Sequence, residues 1–346
     1  MDPNNTPSLA PPPGIEPNFS NPVTLQSKVI AVAAVTLFLC TVGISARIYT
    51  RAIILKQFDH TDCSVLLAGA LFTAFMALTI VTGQHGQGRH QWDITVANGS
   101  KILRYSNISQ VIYSPTMFFA KYAVLRQIEL IFLKHRPRHV AYKVIWALIW
   151  ANLVFYTAMM ISFILGCVPR DKIWHPQVPG RCINNTLALL FTSTINVISD
   201  LTILIVPLAG VWTLQLPSTK KLGAMAIFAV GIFAVVSSIV RLYYTAKLTQ
   251  TRDYSWAIVP TTCWVFAEFT TVILVACFPS FPRLFAHLRN RDGESPYCPS
   301  HNNPIAREGS HTIQLQRIES KGFSSTADLG VHAASFERTF TESSND

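Results

Sequence analysis

Seven apolar runs dominate the sequence, and each has the length of about 20 residues that crosses a hydrocarbon core as a helix. Short polar connections, often marked by Gly or Pro, separate them. No stretch of about ten residues alternates apolar and polar positions as a lipid-facing barrel strand does. The runs are Val29–Ile48, Cys63–Thr82, Ile108–Leu133, Val144–Leu165, Leu187–Val211, Leu222–Leu242 and Ala257–Phe278. The sequence therefore predicts an all-α, multi-pass membrane protein built as a seven-transmembrane-helix bundle.

The composition divides the chain into three parts. Only 13% of the 346 residues are charged, about half the usual share of a soluble domain. We expect a polar N-terminal segment at 1–28, the membrane domain at 29–284 and a disordered tail at 285–346, which is rich in Ser, Thr, Asn, Arg and Glu. Residues 1–28 lack an early apolar core, so the first span is predicted to insert as an uncleaved anchor. The net charge of +10 is scattered without a basic, aromatic-lined face, which argues against nucleic-acid binding.

Glycosylation sequons indicate the orientation better than the basic residues do, because Lys and Arg are divided almost evenly between the two sides. The sequons at Asn4, Asn18, Asn98 and Asn184 all fall on the side of the N-terminus, whereas Asn107 lies near the membrane. The basic loop 134–143 then lies on the other side with the tail. We expect an exofacial N-terminus and a cytosolic C-terminus, in either the plasma membrane or an endomembrane.

Two cysteines share the connection between the fourth and fifth spans. In the expected orientation only Cys167 and Cys182 face an oxidising compartment, since the other cysteines lie in or beside spans or in the tail. We predict a disulfide between them, and two free thiols in a flexible loop are the alternative. No Cys/His spacing indicates a zinc site.

The stretch GQHGQGRH, residues 83–90, allows three interpretations. A metal site needs at least three ligands, which His85, His90 and Asp93 can supply in principle. A phosphate loop needs a strand before the glycines and a helix after them, whereas these glycines follow a membrane span. The favoured interpretation is a sharp turn at the exofacial end of the second span, with Arg89 and His90 facing the mouth of the bundle.

Ionisable residues inside spans are costly unless they are paired or hydrated, so each is a candidate functional group. Asn196 and Asp200 are four residues apart and share one helix face. Glu268, one turn after Trp264, either pairs with Lys121 or Arg241 or stays protonated through burial. Structural interhelical pairs and a ligand-binding, proton-carrying or catalytic role remain alternatives for each charge. The residues are Lys121, Arg126, Asp200, Arg241 and Glu268.

The charges of Glu129 and Asp62 have local explanations. Arg126 and Glu129 are three residues apart and can pair on one face of the third span. Asp62 stands at the start of the second span, where a carboxylate is favoured by the helix dipole.

No cofactor is expected. Retinal needs a lysine in the seventh span for its Schiff base, and that span, AIVPTTCWVFAEFTTVILVACF, contains none. The third span lacks an Asp-Arg-Tyr motif and the seventh lacks Asn-Pro-x-x-Tyr, so G-protein coupling would need other contacts.

Over residues 25–290 the chain resembles the fungal rhodopsin-like integral membrane protein family, which includes a protein of the satratoxin cluster and receptor-like proteins. The matching features are RIYTR at 47–51, Asp62, Gly86, Gly88, His90, Lys121, Cys167 and Cys182 with Trp174 between them, Asn196, Asp200, Pro207, Lys220-Lys221, Arg241-Leu242, Trp264, Glu268 and Pro279–Leu284. The chain departs from the family at Thr61, where an acidic residue is common, and at Ile128 and Leu130, where Tyr and Arg are common. The resemblance implies the fold and a setting in secondary metabolism.

Two functions follow as hypotheses. In the receptor-like or accessory hypothesis, a small lipophilic metabolite binds among the last helices, and a cytosolic signalling partner reads the change from the basic loop and tail. In the enzyme hypothesis, Asp200 or Glu268 protonates a pathway intermediate in a cyclisation or isomerisation. A transporter is a third, weaker hypothesis, because no internal repeat is evident. Besides membrane lipid, the metabolite is the expected partner, with ligand-binding candidates Lys121, Asn196, Asp200, Arg241, Trp264, Glu268 and His90.

Overall fold

Seven long helices and a short eighth make up most of the part of the chain that the structure describes. The computed structural model describes residues 4–132, 140–175, 177–212 and 218–292, with the backbone alone at 131–132, 207–212, 218–228 and 290–292. The helices are α1 Gln26–Ile48, α2 His60–Gln84, α3 Val96–Phe132, α4 Val140–Ile164, α5 Asn185–Trp212, α6 Ser218–Leu248, α7 Tyr254–Cys277 and α8 Phe281–Asp292. One antiparallel pair of two-residue strands, β1 Cys167–Val168 and β2 Arg181–Cys182, joins α4 to α5. The predicted all-α class and seven-helix bundle are confirmed.

Helix length and apolar composition mark the chain as a multi-pass membrane protein. Among the described residues, six helices are long and apolar enough to span a membrane, namely all of the long ones except α3. Helix α3 has 37 residues and carries more polar side chains, but it packs inside the bundle, where Met117, Ala123 and Leu125 are fully buried. Large apolar side chains such as Phe38 and Val154 point outward, as a lipid-facing surface requires.

Helix α7 is the most buried of these six apolar helices. Of its most apolar 18-residue window 56% is buried, against 28–33% in the other five helices. Phe266 and Phe269 of α7 pack edge-on or tilted against Phe72 and Phe75 of α2, with ring centroids 5.2–6.1 Å apart. Such aromatic pairs stabilise a helix contact beyond the area that they bury.

Small residues let neighbouring helices approach closely, as is usual between membrane helices. A Cβ atom on Gly69 of α2 would lie 2.6 Å from Ile44 Cδ1 of α1. One on Gly43 of α1 would lie 2.8 Å from Leu274 Cδ2 of α7. A larger side chain at either position would require the Ile44 or Leu274 side chain to move.

Several helix bounds differ from the predicted spans. Helix α3 begins at Val96 rather than Ile108, because its polar first turns lie outside the apolar run that defined the span. Helix α6 continues to Leu248, so Arg241 lies within the helix and does not close it. Helix α8 continues regular structure past residue 284, the predicted end of the membrane domain. Loop residues 134–139, the tail 293–346 and the side chains of Pro207, Lys220 and Lys221 lie outside the described part of the chain.

One end of the bundle, here called the N-terminal face, is covered by irregular segments. Ser8 N–H donates to the Ile94 carbonyl at 2.8 Å and Val96 N–H to the Thr6 carbonyl at 3.0 Å, which fixes the N-terminal segment against the α2–α3 connection. Leu25 N–H donates to the Gly88 carbonyl at 2.9 Å. The segment 4–25 therefore packs on the connections between the helices.

The opposite face contains a buried charge that the sequence prediction missed. Arg47, fully buried at the end of α1, donates from Nε to Asp62 Oδ1 of α2 at 2.8 Å and from NH1 to Gln127 Oε1 of α3 at 2.9 Å. NH1 also donates to the carbonyl of Ala276 in α7. Asp62 Oδ2 accepts the N–H of Asp59 at 3.0 Å, so it both begins α2 and neutralises Arg47. One guanidinium thus joins four helices.

We expect Asp62→Asn to destabilise the bundle by about 3–5 kcal/mol, because it leaves the Arg47 guanidinium buried without a counter-charge. The double variant R47M/D62N removes both charges and should lose less stability than Asp62→Asn alone. The measurement is the unfolding of the purified protein in detergent. As a comparison, Arg51→Met removes a pair with the half-exposed Asp59 at 3.5 Å and a longer contact with Asp62 Oδ1 at 3.8 Å. Because Arg47 and Asp62 still neutralise each other in this variant, it should cost less than Asp62→Asn. A double variant less stable than D62N would contradict the assignment.

Candidate functional site

Four buried charges from four helices meet in the middle of the bundle. Lys121 Nζ of α3 lies 2.7 Å from Asp200 Oδ1 of α5, and Arg241 Nε of α6 lies 3.1 Å from Glu268 Oε2 of α7. Glu268 is fully buried, and the other three are at most 6% exposed. Of the two partners that the sequence offered Glu268, the structure pairs it with Arg241 and pairs Lys121 with Asp200. The cluster carries two positive and two negative side chains, so it is neutral when all four are ionised.

Asn196 links the two ion pairs. Its Nδ2 lies 3.1 Å from Asp200 Oδ2 and also donates to Glu268 Oε1. Its Oδ1 accepts the Tyr156 hydroxyl of α4 at 2.7 Å, and its carbonyl lies 3.4 Å from Lys121 Nζ. A single amide therefore connects both carboxylates, which explains its complete burial.

Two hydroxyl groups complete the network. Ser238 of α6 donates to Asp200, one turn before Arg241 on the same face. Arg241 NH1 donates to the Tyr113 hydroxyl of α3 at 2.6 Å, and the Arg241 guanidinium carbon lies 5.2 Å from the Tyr113 ring centroid. The sequence prediction missed Tyr113, Tyr156 and Ser238, although the i, i+3 spacing of Ser238 and Arg241 was a usable signal.

A small inner cavity borders this network on the side of the N-terminal face. Its volume is about 100 Å³, and Arg241 and Tyr113 both line it. Apolar side chains such as Phe75 and Val265 alternate in its wall with hydroxyls such as Thr261. The inner cavity therefore combines an apolar wall with a charged end.

A larger outer cavity of about 540 Å³ lies under the N-terminal face. It is lined by the N-terminal segment at Ser8, by the disulfide hairpin at Cys167 and Cys182, and by α3. The two cavities share four lining residues, which are Ser106, Gln110, Phe163 and Tyr254. The two cavities are therefore adjacent, and they lie between the N-terminal face and Arg241.

His90 lies at the N-terminal face rather than in the network. Its ring is stacked between Trp92 and Trp256, with centroid distances of 4.4 and 4.2 Å. His90 Nδ1 lies 2.6 Å from Asp253 Oδ2, and Asp253 Oδ1 accepts the N–H of Gln91 at 2.9 Å. This sandwich fastens the α2–α3 connection to the start of α7.

The predicted ligand-binding residues therefore separate into groups. Lys121, Asn196, Asp200, Arg241 and Glu268 are brought together, but of these only Arg241 lines either cavity. Trp264 is partly buried on α7 and lines neither cavity, nor does His90.

The stretch GQHGQGRH forms a turn. Gly86 and Gly88 have φ angles of +113° and +92°, a region that side-chain-bearing residues rarely adopt. Gly88 N–H donates to the Ser255 carbonyl at 3.1 Å, which ties the turn to α7. The three residues considered for a metal have separate partners: His85 stacks on Tyr105, His90 meets Asp253, and Asp93 accepts the N–H of Asn18.

The remaining sequence features lie at or near the same face. Cys167 and Cys182 are joined in a disulfide that closes the β1–β2 hairpin. The side chain of Asn107 is buried and donates to the Phe163 carbonyl at 3.0 Å, so it is no glycan acceptor in the folded chain. Asn4, Asn18 and Asn184 are exposed, and Asn98 is partly buried in the first turn of α3.

The pair Arg126–Glu129 is confirmed. Arg126 NH1 lies 2.5 Å from Glu129 Oε2, and the guanidinium carbon lies 5.5 Å from the Trp146 ring centroid. Both side chains are partly exposed, and neither lines the inner or the outer cavity.

We expect Asn196→Leu to destabilise the bundle by at least about 2 kcal/mol, since it leaves the Tyr156 hydroxyl and one Glu268 oxygen without their partner. Tyr156→Phe removes one hydrogen bond and should cost about 1 kcal/mol. Tyr243→Phe, on the exposed face of α6, is the control and should stay within about 0.5 kcal/mol. Thermal unfolding in detergent gives all three values, and equal losses in the three variants would contradict the network.

Comparison with known proteins places the chain in a family. A family model described as the fungal rhodopsin domain matches residues 46–287. A SAT4 family membrane protein of Emericella nidulans is 37% identical over 232 residues, which cover 67% of this chain and 59% of that protein. The chain thus matches less than two thirds of that relative's length.

Two more distant relatives are named after biosynthetic clusters. Fugralins biosynthesis cluster protein 2 of Gibberella zeae is 26% identical over 94% of this chain and 84% of its own length. Polyenoic acids biosynthesis gene cluster protein Ba17b of Metarhizium anisopliae is 22% identical over 69% of this chain and 68% of its own. No solved structure matches the chain. The matched family model covers most of the seven-helix bundle, and the chain belongs to the fungal rhodopsin domain family.

Proposed function

We propose that the chain binds a small lipophilic metabolite in the inner and outer cavities and acts as a receptor-like or accessory membrane protein of secondary metabolism. The observation that carries the proposal is the position of Arg241, which lines the inner cavity and also belongs to the buried ion network. A ligand that contacts Arg241 contacts a member of the ion network. That network joins α3, α5, α6 and α7.

Helix α7 supplies a physical route from the cavities to the opposite face. Its Glu268 belongs to the ion network, and two turns later its Ala276 carbonyl accepts Arg47. A ligand can favour one arrangement of α7 only if it binds that arrangement of the bundle more tightly than the alternative one. The proposed readout is a cytosolic partner that contacts the loop 134–143 and the tail.

The link to secondary metabolism rests on relatives. Two of them carry the names of biosynthetic clusters, for fugralins and for polyenoic acids. A membrane protein in such a cluster can sense, retain or hand over a lipophilic product. The metabolite of this chain is proposed only as a class, a small lipophilic molecule.

The enzyme hypothesis has less support from the geometry. Asp200 and Glu268 each pair with a cation, and an ion-paired carboxylate is a poor proton donor. Neither lines the inner or the outer cavity, so neither reaches a molecule bound there. If the chain were the enzyme, microsomes with Asp200→Asn or Glu268→Gln would fail to convert the pathway intermediate; full conversion would exclude this role.

Deletion of the gene tests the main proposal in the fungus. We expect a general fall in secondary metabolites, restored by the wild-type chain and by R126M/E129Q but not by R241M/E268Q. Both double variants remove an Arg–Glu pair from the membrane domain, but only the second changes the cavity lining. Product analysis is the measurement. Accumulation of one defined intermediate in the deletion strain would instead favour the enzyme hypothesis.

The proposed orientation, with the N-terminal face outside and the tail in the cytosol, has its own test. We expect glycans on exposed sequons such as Asn18 and Asn184, so Asn184→Gln should increase the mobility of the protein on a gel. Asn107→Gln is the matched control and should leave the mobility unchanged, because Asn107 is buried. Glycosidase treatment should abolish the difference. A cytosolic label on the N-terminal segment would overturn the orientation.

A further inference from the structure

The Arg241 guanidinium has a nitrogen without an acceptor. Its NH1 donates to the Tyr113 hydroxyl, and its Nε lies 3.1 Å from Glu268 Oε2 as an ion pair without a hydrogen bond of good geometry. NH2 is buried and has neither a hydrogen-bond partner nor an ion-pair contact among the described residues. Arg241 is 3% exposed and lines the inner cavity. A buried donor on a charged group is costly to leave unpaired, so this nitrogen indicates a partner that the chain itself does not supply.

A second unpaired group lines the same cavity. The Thr261 hydroxyl of α7 is buried and has no hydrogen-bond partner in the described part of the chain. A hydroxyl can donate or accept, so it suits an oxygen on a ligand. The rest of the wall includes Phe75, Ile258 and Val265, which suit an apolar body.

The charge balance limits what the partner can be. The charge of Arg241 is matched by Glu268, and that of Lys121 by Asp200. A carboxylate or phosphate on Arg241 would therefore add an unmatched negative charge to the buried cluster, which the apolar surroundings disfavour. A neutral oxygen acceptor satisfies NH2 without changing the net charge.

We infer that the inner cavity accepts an uncharged lipophilic molecule whose carbonyl or other neutral oxygen receives a hydrogen bond from Arg241 NH2. This inference rests on the proposed function and narrows its ligand class to neutral, oxygen-bearing molecules. The apolar part of the molecule extends from the inner cavity toward the outer cavity, past the shared residues Ser106 and Tyr254. Free fatty acids and other anions are poor ligands for this site.

Three photoreactive probes test the ligand class on the purified full chain in nanodiscs. They share one twelve-carbon skeleton with the same diazirine and differ only at the end, as a methyl ketone, a hydrocarbon or a carboxylate. Mass spectrometry locates the labelled peptides. We expect the ketone to label the segments around 106–113 and 258–265 at least about tenfold more than either counterpart, the ratio for a hydrogen bond from a charged donor.

Variants assign the effect to Arg241. R241M/E268Q removes the donor together with its counter-charge and should reduce ketone labelling to the hydrocarbon level. R126M/E129Q, the same chemical change outside the cavities, should leave ketone labelling intact. Thr261→Val keeps the shape of the side chain and should reduce ketone labelling while leaving hydrocarbon labelling unchanged. This variant carries the test if R241M/E268Q does not fold.

The outcomes separate the two proposals. If no probe labels the cavity segments of the wild-type chain, the proposed function fails together with the inference. If the three probes label these segments equally, or the carboxylate labels them best, binding stands and the neutral-acceptor inference is overturned. Equal loss of ketone labelling in R126M/E129Q would overturn the assignment to Arg241.

Discussion

The neutralisation of buried charge is the constraint on which this bundle depends. Lys121, Asp200, Arg241 and Glu268 lie in the interior of a protein with apolar outer surfaces, and each would be costly there alone. As two ion pairs tied by Asn196 they are tolerated. Every pair joins different helices, so the requirement for a counter-charge also fixes which helices are neighbours.

A second neutralised charge at the opposite face follows the same rule. Arg47 of α1 donates hydrogen bonds to Asp62, Gln127 and the Ala276 carbonyl. It thereby joins α1 to α2, α3 and α7. Helices α3 and α7 thus belong to both clusters. The aromatic contacts of α7 with α2 add apolar packing close to Glu268, which stands between Phe266 and Phe269 in the sequence. The cavities occur on the other side, between the ion network and the N-terminal face.

The sequence predicted the bundle well, because long apolar runs have few alternatives to spanning a membrane. It also predicted four of the buried charges, Lys121, Asp200, Arg241 and Glu268, but left their pairing open, since partner choice depends on the lateral order of the helices. Arg47 was missed because it ends an apolar run, where a long basic side chain commonly reaches toward water. Nothing in the sequence distinguishes Tyr113 and Tyr156 from other tyrosines in spans. Their hydroxyls become part of the network only because the fold places them beside Arg241 and Asn196.

The two contacts of α7 also restrict how that helix can move. Glu268 and the Ala276 carbonyl are about 12 Å apart along the helix axis, at a rise of about 1.5 Å per residue. Rotation of α7 about its own axis would swing both groups away from Arg241 and Arg47 at once, with the loss of two buried interactions. A tilt that keeps one contact as a pivot loses at most one of them. These two contacts therefore oppose rotation of α7 about its own axis more strongly than they oppose a tilt of the helix.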